Sequence, residues 1–306
     1  MHRALCSMVL SMRFVVLLIS FLLPNFAVAK TPLVVDIMQS ENFTHRYQSF
    51  LNGRSPLDIT DFHASTKGSH IEIVEMILLQ QALVLGGLDR TIIFNPKPSI
   101  NIMEYSDLIA GDSLILARSV WHEDILDYRG SLYVSEPLVK FGEYEAGLYV
   151  PKRNVHLHNL EKSQLEDLTV VANPRWKVDW RALHNTDLNI VSFIGPWETM
   201  LEMVETNVVD TMLINFSVSD TLELNFENRL YVPINNLKVF LPDSRHFVVS
   251  KRHPEGKLVF QALNKGLALL RANGTIEKAL KQSGFINEKV TDWQTINIQM
   301  LNPGQQ

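Results

Sequence analysis

Cysteine is almost missing from this sequence. Of 306 residues one is a cysteine, Cys6. A lone thiol closes no intramolecular disulfide and builds no thiolate metal or redox centre. Positive charge is also in short supply, with 28 Lys and Arg against 33 Asp and Glu and a net charge of −5. No Lys/Arg cluster stands out, which argues against a nucleic acid as partner. No uninterrupted apolar run approaches the ~20 residues that cross a bilayer. Motifs with a built-in mechanism are absent too: there is no G-x-S-x-G, no H-E-x-x-H, no P-loop and no G-x-G-x-x-G.

The N-terminus carries a processing pattern. Arg3 and Arg13 form a basic region, Phe14 to Leu23 (FVVLLISFLL) an apolar one, and Ala27-Val28-Ala29 an A-x-A cleavage site before Lys30. Cys6 lies ahead of the apolar stretch, so it is not a lipoprotein cysteine. The expected product is exported, periplasmic and free of cysteine. Its 277 residues lose two of the 28 basic residues and none of the 33 acidic ones, for a net −7. A chain of that length buries roughly 70–75% of its surface and favours about two domains.

Along the mature chain, strand and helix alternate. Thr31 to Ile37 reads as a buried strand, followed by a polar, turn-rich segment from Met38 to Lys67 containing Phe43 and Tyr47. His70 to Leu85 is a helix stopped by Gly86-Gly87. Thr91 to Phe94 reads as a strand, Ile102 to Ile109 as a helix and Ser113 to Ala117 as a strand. This order implies parallel sheets flanked by helices. From Leu165 the order repeats, with helices over Pro174 to Leu183 and Pro196 to Thr206 and a strand over Val208 to Phe216.

The C-terminal part supplies the strongest pattern. His246 to Lys251 (HFVVSK) is strand-like. Leu258, Ala262, Leu263, Leu267 and Leu270 then line one helix face. Asn273-Gly274 ends that helix, and Thr275 is placed to cap a shorter one. Together with Ser135-Glu136-Pro137 and the crossing strand Gly147 to Lys152, this resembles bacterial extracellular solute-binding proteins of family 3. The resemblance covers most of residues 31–285. It implies an α/β, two-lobed fold: residues 30–146 with 245–306 in one lobe, 147–244 in the other, and hinges near 145–152 and 241–249. It also implies a monomer without cofactor or catalytic residue, taking a small-molecule ligand and presenting its closed form to a membrane permease of the ABC type or a membrane sensor.

The family's ligand residues carry over only in part. Members that bind amino acids place an Arg ahead of Ser-x-Pro to grip a carboxylate in a bidentate fork. Ser119 to Asp124 (SVWHED) occupies that interval without an Arg, flanked by Arg118 and Arg129. The family's ammonium-binding Asp corresponds to Asn215, counting from Asp210. Losing one member of a buried charge pair costs ~2–5 kcal/mol, so a standard α-amino acid is not the expected ligand. The expected ligand-binding residues are Arg118, Ser119, Trp121, Asn173, Trp176 and Asn215. Asn173-Pro174 is expected to cap and open a helix whose N–H groups could hold an anion. Trp121, Trp176, Trp180 and Phe216 fall at strand ends, where they pack in the core or stack on a ligand.

Two other classes remain open. One is a periplasmic, dehydratase-like enzyme on the same lobes, with Glu136 or Glu198 as its acid. The other is a lobe pair whose ligand site has decayed into an interaction module. His122-Glu123-Asp124 reads as a solvated turn, and His156 and His158 as surface residues without a third metal ligand. Three N-x-S/T triplets, at Asn42, Asn215 and Asn273, are taken as chance occurrences.

Overall fold

In the computed structural model, residues 31–37, 41–88, 90–96 and 104–298 are described; the signal-like segment and Ile102 lie outside them. The chain opens with strand β1 (Leu33–Ile37), whose Leu33 and Val35 are buried. Helix α1 (Glu41–Leu51) follows where the sequence suggested a polar loop. Its apolar residues explain the difference: Phe43, Tyr47, Phe50 and Leu51 recur at helical spacing and all are buried. Helix α2 (Ile71–Leu85) has eleven of its fifteen residues buried, consistent with a helix apolar nearly all round. Strand β2 (Ile92–Pro96) pairs parallel with β1.

After α3 (Glu104–Ala110) the chain forms β3 (Val120–Trp121) and β4 (Leu132–Val139). The strand expected at Ser113 to Ala117 is reduced to an isolated bridge, Ile115 to Val249. The chain then passes into a larger sheet through β5 (Glu145–Pro151), β6 (Thr169–Ala172), α4 (Lys177–Leu183), β7 (Asn189–Ser192), α5 (Trp197–Glu205) and β8 (Thr211–Asn215). It continues with β9 (Leu224–Phe226), β10 (Arg229–Pro233) and β11 (Leu237–Phe240). β12 (Arg245–Ser250) returns to lie between β3 and β4. The long helix α6 (Gly256–Ala272) and short α7 (Thr275–Gln282) follow, and β13 (Gln294–Thr295) adds a last strand beside β11.

Among the described residues three sheets result: β1-β2, β3-β12-β4, and an eight-stranded sheet ordered β13-β11-β5-β8-β6-β7 with β10 on β5 and β9 on β10. The β6-β7 and β6-β8 pairs are parallel, as the strand–helix alternation required, whereas β5 is antiparallel to β8. Buried side chains of the smaller sheets and of the large one join in one apolar cluster, through Tyr144, Ala146 and Leu148.

Helix ends show two departures from the sequence reading. α4 begins at Lys177 rather than after Asn173-Pro174, and its N-cap position is Trp176, which makes no side-chain cap. Asn173 instead accepts the Arg175 N–H at 3.0 Å, an Asx turn that satisfies its own loop. At α7 the N-cap position is Gly274, left-handed at φ 79°, while the Asn273 side chain accepts the Thr275 N–H.

α2 and α6 meet backbone to backbone. A Cβ on Gly266 would lie 1.7 Å from the Ala82 carbonyl oxygen, and one on Gly86 would lie 1.8 Å from that of Ala262. Helix propensity alone would make Gly266→Ala stabilising by about 1 kcal/mol. The clash with an immovable carbonyl reverses the sign, since overpacking costs about 1–3 kcal/mol. Gly266→Ala is therefore expected to lower the urea midpoint at unchanged slope. A raised midpoint would show that the helices do not approach this closely.

Candidate functional site

The centre of the site is a carboxylate that sequence reasoning passed over. Glu75 sits within α2 at zero exposure. Its Oε2 accepts the Ser119 backbone N–H at 2.9 Å, and its Oε1 accepts the Ser119 hydroxyl at 2.6 Å. Arg245, the first residue of β12, lies 3.6 Å from Oε1. Arg245 also donates through Nε to the Ser119 Oγ at 3.0 Å and through Nη2 to the Ser119 carbonyl at 2.8 Å. Two hydrogen bonds and a nearby guanidinium give this buried carboxylate the polar partners that burial otherwise removes.

Aromatic rings hold the guanidinium in place. It lies 5.2 Å from the Trp121 ring centroid and 5.5 Å from that of Phe285, each a cation–π contact of about 0.5–2 kcal/mol. Phe285 stacks on Tyr144 at 4.3 Å and 17°, and Trp121 lies 5.7 Å from the same ring. The Tyr144 hydroxyl is buried and has no hydrogen-bond partner. Burial, with the negative charge of Asp179 nearby, pushes this phenol well above its usual range.

Helix α4 packs against the neighbouring 3₁₀ turn Glu123–Tyr128. Its Asp179 is half-buried and raised to about 6, chiefly by burial and further by Asp124, with Arg245 pulling the other way. Asp124, in the 3₁₀ turn Glu123–Tyr128, is also raised by burial, with Lys177 offsetting and Asp243 and Glu123 reinforcing the shift. Neither carboxylate has an ion-pair partner among the described residues. The same turn is braced to α4. Arg181 reaches Glu123 at 3.0 Å and donates to the Pro242 carbonyl at 2.8 Å, and the Glu123 N–H donates to Asp243 at 2.9 Å. The reading of His122-Glu123-Asp124 as a solvated turn is therefore corrected. His122 bonds Arg129 and its ring stands 5.3 Å from that of His246.

The remaining sequence-predicted residues fall around this core. Ser119 is fully engaged by Glu75 and Arg245, and Trp121 forms the floor beneath the guanidinium. Arg118 is half-buried in the turn before β3. Asn173 is buried, and Trp176 packs beside the cluster around Tyr149 and Met212. Asn215 is exposed at the end of β8 and lines a cavity of about 240 Å³ with His70, Ser283, Phe216 and Phe285. Through Phe285 that cavity adjoins the Arg245 cage. Glu136 is exposed on β4 and Glu198 on α5, and neither lines this cavity. No group of three His, Cys, Asp or Glu side chains able to hold a metal occurs among the described residues. No described helix is long and apolar enough to cross a membrane.

Glu75, Tyr144, Asp179, Arg245 and Phe285 were not among the expected residues. One signal was present: Glu75, unlike Glu72 in the first turn, falls inside the apolar stretch of the helix HIEIVEMILL. The others converge only through tertiary contacts.

Asp179 gives a pH signature with a definite sign. Its folded pKa lies above the ordinary carboxylate value, so between about pH 4 and 6 the folded state binds more protons than the unfolded one. Stability contributed by this group therefore falls as pH rises through that window. Asp179→Asn is expected to flatten the slope and to stabilise the protein at pH 7 by up to about 2 kcal/mol. Denaturant titrations at pH 4.5 and pH 7 measure both effects. Equal slopes for the two proteins would contradict the assignment.

No protein-family model matches the sequence, and no curated protein matches it. Solved structures do match in shape. The periplasmic VFT2 domain of Bordetella pertussis BvgS superposes with a TM-score of 0.51 at 13% identity, covering 83% of this chain and 93% of that one. The second substrate-binding domain of a putative amino acid ABC transporter from Streptococcus pneumoniae gives 0.48 at 17%, covering 83% and 100%. Substrate-binding domain 2 of Lactococcus lactis GlnP, in its open conformation, gives 0.48 at 12%, covering 82% and 95%. The match to the BvgS domain, at a TM-score of 0.51, shows that the chain has the two-lobed α/β fold of periplasmic binding domains, as its resemblance to solute-binding family 3 implied.

Proposed function

We propose that this protein is an exported solute-binding protein that captures a small molecule between its two lobes and presents the closed form to a membrane partner, an ABC-type permease or a sensor. The lobes in this reading are residues 30–146 with 245–306, and 147–244. The hinge strands near 145–152 and 241–249 carry closure as a population shift driven by a ligand that bridges both sides.

One observation carries the reading. Asp124 on the Glu123–Tyr128 turn and Asp179 on α4 lie close to one another, neither in an ion pair among the described residues, with the unbonded Tyr144 hydroxyl near Asp179. A carboxylate whose ionised form burial disfavours and a buried hydroxyl without a bond both cost stability, and such costs concentrate where a ligand is to be bound. The missing Arg in SVWHED, and carboxylates in its neighbourhood instead, point to a solute with an amine or another donor-rich group rather than a standard α-amino acid. Arg245 does not restore the lost clamp freely, because Glu75 and Ser119 already hold it.

A second reading has its own support. Arg245 fills the cage between Trp121 and Phe285, and Arg181 braces α4 to the Glu123 turn. These contacts suit a lobe pair that stays closed and acts as an interaction module.

Thermal melting of the mature protein against amines, polyamines, amino acids, organic acids and short peptides separates the two. An amine-bearing hit should raise Tm in a dose-dependent way. Asp179→Asn should weaken it at least tenfold while leaving the unliganded protein no less stable. A hit indifferent to Asp124→Asn and Asp179→Asn would place the ligand elsewhere, and no hit at all would favour the interaction module.

A further inference from the structure

A second cavity lies away from the groove. It measures about 480 Å³, within the usual range for small-molecule sites, and opens between α1, the 3₁₀ turn Pro56–Asp58, the C-terminal half of α2, and β2. Its apolar walls are Met76, Val84 and Phe94, with Leu57 at the mouth. Leu57 is 48% exposed although large and apolar.

The polar groups in this cavity form a defined pattern. Gln80 is more than nine-tenths buried, and its Nε2 is committed twice, to the Met76 carbonyl at 3.0 Å and to the Tyr47 hydroxyl oxygen at 2.6 Å. The Met76 carbonyl can only accept, so it fixes which end of the Gln80 amide is nitrogen. The Gln80 Oε1 is then an acceptor with no partner among the described residues. Tyr47, 5% exposed, accepts from Gln80 and has its own hydroxyl proton left to donate. Burial raises this phenol to about 12, so the proton stays on. The Thr44 Oγ1, on the same wall, is buried without any hydrogen bond. Arg90 at the rim is held by Glu255 and the Pro32 carbonyl, so it is not a free charge for a ligand.

We propose that this cavity is a second binding site, independent of the interlobe groove, for a small uncharged aromatic molecule bearing a primary carboxamide or lactam edge. Tyr47 offers a donor and Gln80 an acceptor one hydrogen bond apart. The matching ligand edge must accept at one atom and donate from its neighbour, as an amide does. A carboxylate brings no donor and a ketone none either. The planar body lies against Phe94, Met76 and Val84, where apolar contact and ring stacking are available.

Benzamide is the probe, with acetophenone and benzoate as its isosteric controls, titrated into the full mature protein by calorimetry and by thermal melting. Benzamide is expected to bind saturably, and each control at least tenfold more weakly. Tyr47→Phe should cost benzamide about tenfold, one neutral hydrogen bond. Leu57→Trp closes the mouth without touching a buried bond and should abolish binding, with far- and near-ultraviolet circular dichroism unchanged. The proposal is overturned if benzamide does not bind, if it binds no better than acetophenone, or if binding survives Leu57→Trp. Loss of binding on Asp179→Asn but not on Leu57→Trp would overturn it as well, by moving the molecule to the groove.

Discussion

A carboxylate at zero exposure inside an apolar helix persists only when its charge is answered on the spot. Glu75 is answered from two directions, by the backbone and hydroxyl of Ser119 and by the guanidinium of Arg245. Those three residues belong to α2, to the turn before β3, and to the strand that returns from the large sheet. The interaction therefore pins three separate stretches of chain to one point. Removing one partner of such an arrangement costs about 3–5 kcal/mol, because it strands the other charge. The rings of Trp121, Phe285 and Tyr144 take their positions around the guanidinium, and an aromatic wall results.

That wall is not optimised for stability. The Tyr144 hydroxyl is left without a bond, and Asp179 sits where its ionised form is disfavoured. A chain selected for packing alone would place Phe and Asn or Leu at these positions at no loss to the surrounding contacts. Local conflict between fold and residue choice of this kind is what the proposed binding role rests on. Beside these groups Arg181 ties α4 to the Glu123 turn and to the Pro242 carbonyl.

Much of the architecture was legible from residue patterns. The apolar face of α6, the Gly274 stop with its left-handed backbone, and the strand at His246 to Ser250 follow from periodicity and from glycine's conformational freedom. The strand–helix repeat after Leu165 is present with parallel pairing. The helix at Glu41 to Leu51 was hidden by its many polar residues, although Phe43, Tyr47 and Phe50 carried the periodicity. Asn173-Pro174 looked like a helix start, but the Asx turn competes for the same side chain and moves the start to Lys177. The site was legible only in outline. Ser119, Trp121 and Asn215 lie at it or beside it, yet the cation that organises it comes from Arg245, more than a hundred residues from Ser119 and Trp121. Long-range convergence of this kind leaves no local spacing to read.

The most direct test of this account is a double-mutant cycle on Glu75→Gln and Arg245→Met, read by equilibrium unfolding in urea. If the buried pair organises the groove, each single substitution is costly, and the double costs less than their sum by about 2 kcal/mol or more, since removing the second charge relieves the first. Additivity within about 0.5 kcal/mol would mean that Glu75 and Arg245 do not depend on one another, and the account of the groove built upon them would fail.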